Sequence, residues 1–191
     1  TELVIGADCL IREHATANIG TAGGTGVTRI GEHCMMMTGS HVGHDCTVGN
    51  HVIFANNAVL GGHVEVGDHV FLGGQCAVHQ FTRIGAQAMI SGLTGVREDV
   101  IPYGFALGQA ARLVGLNTIG MKRRGFSRTE LHAARAAYRD LFFGEGVFEE
   151  RVAKLRVKAD TSEFARIIID FIDAGVKRPL CQPSRAVAGE A

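Results

Sequence analysis

The chain has 191 residues, and its 19 lysine and arginine residues balance its 19 aspartate and glutamate residues, so the formal net charge is zero. This balance excludes the basic excess typical of nucleic-acid-binding domains and the acidic excess of a solvating tail. The sequence contains 26 glycines but only 3 prolines and no tryptophan. That composition excludes a disordered Pro/Gly linker and predicts an ordered fold with many tight corners and a narrow aliphatic core.

The same composition bears on the cellular setting. No apolar run approaches the roughly 20 residues of a membrane helix, so we expect no membrane span. The first ten residues contain neither a basic segment nor an apolar signal core. The five cysteines are an odd number without the spacing of a metal site, which is typical of reduced thiols. We therefore expect a cytoplasmic protein.

From its first residues the chain carries an apolar residue at every sixth position. The period starts at Ile5, Ile11 and Ala17 and resumes, after a break, over twelve further positions. These are Ile30, Met36, Val42, Val48, Phe54, Leu60, Val66, Leu72, Val78, Ile84, Ile90 and Val96. An amphipathic helix would repeat every 3.6 residues, so a six-residue period instead predicts a parallel β-helix.

The break in the period predicts a loop. The apolar stripe reaches Ile30 seven residues late, so the glycine-rich stretch 21–26 must leave the repeat. We expect this loop to protrude or to reach a neighbouring subunit. A phosphate cradle is the alternative, although the stretch lacks the lysine and the strand-to-helix context of a P-loop.

The strongest copies of the repeat recur at every third hexad, at Ile30, Val48, Val66 and Ile84. Three hexads in each coil predict a triangular prism over residues 1–101, with stacked aliphatic side chains inside and small residues at the corners. Three cysteines fall in the small interior position, where we expect them to pack as small hydrophobic residues. They are Cys34, Cys46 and Cys76.

After the repeat ends, the pattern changes to that of helices. Residues 102–126 are expected to form an irregular crossing segment. Ser127 and Glu130 have the spacing of a capping box and predict a helix that runs to about Phe143.

Two further helices are predicted, over about 147–157 and from about 161 to just before Gly175. Together the three helices would form a small α-helical C-terminal domain over residues 127–176. Residues 177–191 show no periodicity and are expected to be a mobile tail.

Two groups of histidines stand out against the repeat. His33, His51 and His69 occupy the same turn in three successive coils. We expect them to stack as an exposed ladder of solvated turn residues, with a metal ladder as the alternative.

The second group gathers along one edge of the prism. His41, His44, His63 and His79 surround apolar positions that recur once in each coil and therefore share one face. None of these histidines takes an interior position. Imidazole suits general-base chemistry or metal binding, and the alternative is a solvated or subunit-contact surface.

Three segments identify a family: SHVGHDCTVGNHVIFANNAVLGGHVEVGD, GGQCAVHQFTRIGAQAMISGLTGV and GLNTIGMKRRGFSR. They resemble the UDP-N-acetylglucosamine acyltransferases of lipid A biosynthesis, and the resemblance covers nearly the whole chain. The family's first N-terminal coils have no counterpart in this sequence. The resemblance implies an all-β left-handed parallel β-helix followed by a small α-helical domain, assembled as a homotrimer with active sites between prisms.

The resemblance also implies the reaction and its catalytic residues. An (R)-3-hydroxyacyl chain would pass from acyl carrier protein to the 3-hydroxyl of UDP-N-acetylglucosamine. His44 matches the general base. Asp45 matches its acidic neighbour, although adjacent residues in a strand point apart. Gly62 matches the glycine whose backbone N–H meets the oxyanion.

Further residues carry expected binding roles. Those matching the substrate cleft are His41, His63, His79 and Gln80, and those matching the nucleotide side are Asn117, Arg123 and Arg124. Gly92 matches the position that limits acyl-chain length, and without a side chain it should leave room for a long chain.

Neither a metal nor another cofactor is expected, and nucleic acid is not an expected partner. Two alternatives stay open at this point. One is a γ-carbonic-anhydrase-like zinc enzyme, whose family separates a histidine pair by four residues where His41 and His44 are separated by two. The other is a non-catalytic prism that binds a nucleotide sugar or acyl carrier protein.

Overall fold

A computed structural model describes residues 1–175 and 177–183 of the chain. Within these residues the chain forms 17 short strands, of which the first fifteen build the repeat. The strands are β1 Glu2–Ile5, β2 Leu10–Ile11, β3 Thr16–Ala17, β4 Val27–Ile30, β5 Met35–Met36, β6 His41–Val42, β7 Thr47–Val48, β8 Ile53–Phe54, β9 Val59–Leu60, β10 Glu65–Val66, β11 Phe71–Leu72, β12 Ala77–Val78, β13 Arg83–Ile84, β14 Met89–Ile90, β15 Gly95–Val96, β16 Gly104–Leu107 and β17 Arg112–Leu116.

The strands stack into three sheets that form the faces of a prism. Sheet A has the order β1-β4-β7-β10-β13, sheet B the order β17-β16-β14-β11-β8-β5-β2, and sheet C the order β15-β12-β9-β6-β3. Strands of successive coils pair in parallel, and Ile30, Val48, Val66 and Ile84 lie in one register, with one of them in each coil. The predicted parallel β-helix is confirmed.

The interior of the prism is the apolar stripe that the six-residue period predicts. All twelve stripe residues from Ile30 to Val96 are at most 3% exposed. The three interior cysteines are buried as expected, and burial raises the pKa of Cys46 to about 11 and that of Cys76 to about 12. These thiols therefore stay protonated and act as packing groups.

Turns at three corners join the sheets. The C–A corner, between a strand of sheet C and the next strand of sheet A, includes residues 18–26, 43–46, 61–64 and 79–82. The A–B corner includes residues 31–34, 49–52, 67–70 and 85–88, and the B–C corner includes residues 37–40, 55–58, 73–76 and 91–94.

The loop at 21–26 leaves the prism at the C–A corner, as the delayed stripe predicts. Ile5 pairs with Ile30, so the register is regained once the loop has closed. The loop does not stand clear of the prism, because Thr21, Thr25 and Gly26 fold back and hydrogen-bond to Asp45. Contact with a neighbouring subunit stays a prediction.

The crossing segment after Pro102 is more regular than expected. Strands β16 and β17 form an antiparallel hairpin that extends sheet B. A short helix, α1 Thr118–Arg123, follows. The expectation of an irregular segment is therefore wrong, because β16 pairs with β14 and continues the sheet by one further strand.

Three further helices follow the hairpin and pack against one another. They are α2 Arg128–Phe143, α3 Phe148–Lys158 and α4 Glu163–Asp173. The predicted capping box at the start of α2 is confirmed, since Ser127 and Glu130 bond reciprocally across the first turn. Among the described residues, no helix has the length and apolarity needed to cross a membrane.

The segment after α4 returns to the prism. Leu180 forms a parallel bridge with Asp99, Pro183 forms one with Leu113, and Cys181 is fully buried. The expected mobile tail is therefore wrong for residues 177–183, whose backbone hydrogen bonds the sequence pattern does not reveal. Residues 184–191 lie outside the described residues.

A buried ion pair ties the helices to the prism. Arg83 Nε lies 2.8 Å from Asp99 Oδ2, and the same guanidinium donates to the Phe171 carbonyl and lies 4.1 Å from the centroid of the Phe171 ring. Asp99 is 1% exposed, and this burial raises its pKa even though Arg83 opposes the shift. The prism and α4 are thus joined through one shared cation.

Candidate active site

The C–A corner brings the predicted catalytic residues together. His44 and Asp45 lie in the turn after β6, and Gly62 and His63 lie in the turn after β9. Parallel register stacks these turns on each other, about 4.8 Å apart. Residues that are one coil apart in the sequence therefore become neighbours.

His44 and Asp45 form a hydrogen-bonded pair. Their Nδ1 and Oδ2 atoms are 2.8 Å apart. The expectation that adjacent side chains point apart holds for strands, but Asp45 lies in a tight turn with φ of 59°. This left-handed backbone, which aspartate tolerates, turns the carboxylate back toward the imidazole.

The Asp45 carboxylate is buried and ionised. Its side chain is 0% exposed, and burial alone would raise its pKa. Hydrogen bonds from Thr21, His44 and Thr25 outweigh that effect and hold the pKa of Asp45 well below its usual range. An ionised carboxylate only accepts hydrogen bonds, so His44 donates its Nδ1–H and neutral His44 keeps an unprotonated Nε2.

Gly62 lies directly against the His44 ring. A Cβ atom at this position would lie 2.5 Å from Nε2 and 2.6 Å from Cε1 of His44, so only glycine fits while the imidazole keeps its position. Within the described chain, the Gly62 N–H donates no hydrogen bond. The corresponding amides of Glu32 and Asn50 at the A–B corner are each bound by a side chain from the next coil.

The other residues expected in the cleft lie near His44, most of them in the next two coils. The His63 ring meets the His44 ring edge to face with centroids 5.1 Å apart, and it stacks on Phe81 at 4.6 Å. His79 and Gln80 are exposed in the turn after β12. His41 lies on β6, where its Nδ1 is 2.8 Å from the Thr16 hydroxyl.

Arg178 reaches this corner from the C-terminal segment, and no motif in the sequence predicts its position. Its guanidinium donates to His79 Nδ1 at 2.8 Å and to the Gln80 carbonyl at 3.0 Å. Lys177 lies 4.9 Å from the centroid of the Phe81 ring. Both cations belong to the segment for which the sequence pattern predicts a mobile tail.

One group at this corner has the composition of a metal site. His44, Asp45 and His63 each place a ligand-type atom within 4.8 Å of the others. However, both Asp45 oxygens already accept hydrogen bonds from the loop and from His44. A metal would have to break these bonds, so the arrangement favours an acid–base pair over the zinc enzyme considered above.

The residues expected on the nucleotide side lie away from the C–A corner, at the A–B corner and beside the adjoining strands of sheet B. Asn117 caps α1 and donates to the Gln87 carbonyl at the A–B corner. Arg123 lines an apolar pocket with Asn117 and Ile119, whereas Arg124 turns away and donates to the Gln87 side chain at 2.7 Å. The two adjacent arginines therefore have different surroundings.

The A–B corner also carries the predicted histidine ladder. The His33 and His51 rings stack at 4.9 Å and the His51 and His69 rings at 4.6 Å. Burial lowers the pKa of His69, and the neighbouring His51 and Arg124 add to this shift. The stacked arrangement is confirmed.

Gly92 lies at the third corner, B–C, and is exposed. A Cβ atom there would lie 3.1 Å from the Gly74 carbonyl oxygen. Within one chain the expected site residues thus divide among three corners. The C–A corner holds His44, Asp45, Gly62, His63, His79 and Gln80. His41 lies on β6 and contacts Thr16, and the nucleotide and chain-length residues lie elsewhere on the prism.

Comparison with known proteins places this geometry in a family. The profile described as UDP-N-acetylglucosamine O-acyltransferase, domain 2, matches residues 99–181, and a bacterial transferase hexapeptide profile matches residues 28–62. The acyl-(acyl-carrier-protein)–UDP-N-acetylglucosamine O-acyltransferase of Azorhizobium caulinodans is 69% identical over 190 residues, which cover 100% of this chain and 70% of the relative. The chain belongs to the UDP-N-acetylglucosamine O-acyltransferase family.

Other members of this family support the assignment. The enzyme of the same name from Caulobacter vibrioides is 54% identical, over 98% of this chain and 71% of its own. The structure of UDP-N-acetylglucosamine acyltransferase from Campylobacter jejuni superposes with a TM-score of 0.88 at 38% identity, over 95% of this chain and 71% of that one. The Francisella novicida enzyme gives 0.90 at 31% identity, over 99% and 71%.

Proposed function

We propose that this O-acyltransferase moves an (R)-3-hydroxyacyl chain from acyl carrier protein to the 3-hydroxyl of UDP-N-acetylglucosamine, the first step of lipid A biosynthesis. Relatives named acyl-(acyl-carrier-protein)–UDP-N-acetylglucosamine O-acyltransferase match 100% and 98% of this chain. The observation that carries the mechanism is the bond between His44 Nδ1 and the buried, ionised Asp45. It leaves Nε2 of His44 as the free base.

The reaction then needs one base and one oxyanion donor. His44 Nε2 takes the proton of the sugar 3-hydroxyl while the sugar oxygen attacks the thioester carbonyl carbon. The Gly62 N–H donates to the carbonyl oxygen as it becomes an oxyanion. When the carbon–sulfur bond breaks, the His44 imidazolium returns the proton to the departing thiolate of the carrier protein.

We further propose that the complete site is shared between subunits of a homotrimer. In one chain the His44 corner and the corner of Asn117 and Arg123 are different edges of the prism. A substrate that contacts both sets needs the second set from a neighbouring prism. Closed cyclic symmetry supplies the same contact to each subunit.

Incubation of the purified protein with UDP-N-acetylglucosamine and 3-hydroxyacyl carrier proteins of several chain lengths tests the proposal. Mass spectrometry should detect an acylated nucleotide sugar with the wild type. His44→Ala should lower the rate by about 10²–10⁴-fold, the usual contribution of a positioned base, while the fold is retained.

Two results would overturn the proposal. Binding of UDP-N-acetylglucosamine without product from any donor would favour the non-catalytic prism. Wild-type activity in the His44→Ala variant would remove His44 as the base and leave the reaction without its proposed mechanism.

A further inference from the structure

The glycine-rich loop 21–26 surrounds the Asp45 carboxylate with hydrogen-bond donors. The Thr21 N–H lies 3.0 Å from Oδ1 and 3.1 Å from Oδ2, and the Thr21 hydroxyl donates to Oδ2 at 2.6 Å. The Thr25 hydroxyl and the Gly26 N–H each lie 3.0 Å from Oδ1. The loop therefore binds an anion, but the anion is a side chain of the same protein.

The loop also closes over the carboxylate without leaving space. A Cβ atom on Gly24 would lie 2.5 Å from Cγ and 2.5 Å from Oδ2 of Asp45. A larger residue would push the loop away from Asp45 or the carboxylate away from His44. The glycine at this position is therefore explained by contact with Asp45.

One oxygen links the loop to the base. Oδ2 of Asp45 accepts both the Thr21 hydroxyl and His44 Nδ1–H. The backbone of Asp45 is held separately, because its N–H donates to the Thr28 hydroxyl at 2.8 Å. The orientation of the carboxylate, and with it the tautomer and angle of the imidazole, is thus set by hydrogen bonds from outside the turn.

We propose that loop 21–26 is a positioning element for the catalytic pair, with the Thr21 hydroxyl as its principal group. This inference rests on the proposed acyl transfer with His44 as the base. The loop acts through Asp45 and touches no reacting atom. It orients an ionised carboxylate so that His44 presents an unprotonated Nε2.

Thr21→Val tests the proposal because it removes the hydroxyl and keeps the shape of the side chain. A hydrogen bond to a charged group contributes enough that its loss should lower kcat by about tenfold or more. KM for UDP-N-acetylglucosamine should stay near the wild-type value, since the loop does not contact substrate in this proposal. Thr21→Ser, which retains the hydroxyl, should restore kcat.

A spectroscopic measurement separates positioning from a general effect on folding. Nitrogen-15 NMR of labelled histidine should show His44 with hydrogen on Nδ1 in the wild type and in Thr21→Ser. In Thr21→Val the two tautomers should mix. Thr161→Val is the matched control, because it removes a threonine hydroxyl that bonds the Lys158 carbonyl in the helical domain. It should change neither kcat nor the tautomer.

The possible results of these measurements distinguish the positioning role from the proposed function. An active wild type with an unchanged kcat and an unchanged His44 tautomer in Thr21→Val overturns the positioning role. A fall in kcat that Thr21→Ser fails to restore also overturns it. A wild type without acyl transfer overturns the proposed function instead, and the NMR comparison still reports whether the loop orients the imidazole.

Discussion

At the scale of single residues, two opposing effects act on the pKa of the Asp45 carboxyl group. Removing a carboxylate from water favours its neutral form, but the donors on loop 21–26 and His44 satisfy its oxygens. The charged form therefore persists inside the protein. Because a charged acceptor keeps hydrogen on His44 Nδ1, the chemistry at Nε2 depends on groups that lie on the far side of the carboxylate.

The depressed pKa of Asp45 predicts a pH-dependent stability. At pH 7 the ionised carboxylate stabilises the folded state. As the pH falls below the ordinary aspartate pKa of about 3.9, the unfolded state binds a proton that the folded state refuses, so this contribution is progressively lost. Denaturant unfolding should therefore show Asp45→Asn less stable than wild type at pH 7, with a difference that shrinks toward pH 3. A difference that stays constant or grows on acidification would contradict the assignment.

The repeat alone placed His44, His63 and His79 along one edge, because register fixes which turns stack, whereas Gly62 was assigned through the family resemblance. The contact between His44 and Asp45 was beyond sequence reasoning, since side-chain alternation describes strands and the turn has a left-handed residue. The role of Thr21 was also missed. The sequence nonetheless contains a hint of this contact. The break in the repeat places the loop at the C–A corner, and Asp45 lies at the same corner in the next coil.

At the scale of elements, the Arg83–Asp99 pair connects the prism to α4. Removing one partner of a buried ion pair leaves an uncompensated charge, which typically costs about 3–5 kcal/mol. We therefore expect Arg83→Met to lower the free energy of unfolding by about that amount. Arg156→Met, which breaks an exposed pair with Asp173, should cost less than about 1 kcal/mol.

Urea titration of both variants measures the two effects. Equal losses for Arg83→Met and Arg156→Met would contradict a tether formed by the buried pair. A loss of unfolding free energy that occurs only in Arg83→Met would support the tether.

Gly92 carries a prediction about the donor. Its backbone has no left-handed φ, but the added Cβ would lie 3.1 Å from the Gly74 carbonyl oxygen, so circular dichroism of Gly92→Met is needed to show that the variant keeps the wild-type fold. If the acyl chain passes this corner, the new side chain excludes its distal methylenes, and each loses about 0.8 kcal/mol of burial. Competition between long and short 3-hydroxyacyl donors should then favour the short donor. Equal losses for both donors would place the acyl groove elsewhere.

Among the elements, the strands of the prism could be predicted from the six-residue period, and the three longer helices from their apolar spacing and capping residues. The β16–β17 hairpin and the segment 177–183 could not. The hairpin continues sheet B without the six-residue apolar period, and segment 177–183 is held by bridges to residues far away in sequence, so neither has a periodic signal. The Arg83–Asp99 pair could not be predicted for a different reason: the two residues are 16 apart, but Arg83 has the pattern of any polar residue on the outside of a strand.

At the scale of the whole molecule, the separation of the corners predicts complementation between subunits. His44→Ala and Arg123→Ala should each be inactive alone. Co-expressed with different tags and purified as mixed trimers, they should recover measurable activity, because an intact His44 from one subunit meets an intact Arg123 from its neighbour. Light scattering on the wild type should give the mass of a trimer.

A matched pair of variants controls for this result. His44→Ala and His63→Ala alter the same corner, so their mixtures should stay inactive. A monomer in solution, or mixed trimers with no more activity than either parent, would contradict a shared site.

The constant register between coils has a consequence for how this protein can change in evolution. The coil that joins Ile5 to its partner Ile30 is longer than the coil that joins Ile30 to Val48, yet both pairs keep the same register. The additional residues lie in the loop 21–26, and the coils on either side of it stay in register. We therefore expect two kinds of insertion or deletion to be tolerated in the prism. Adding or removing a whole coil moves the C-terminal helices by about 4.8 Å along the prism, and an insertion of any other length should form a loop at a corner. The corners, where the candidate catalytic residues lie, can therefore accept added residues while the packing of the interior is kept.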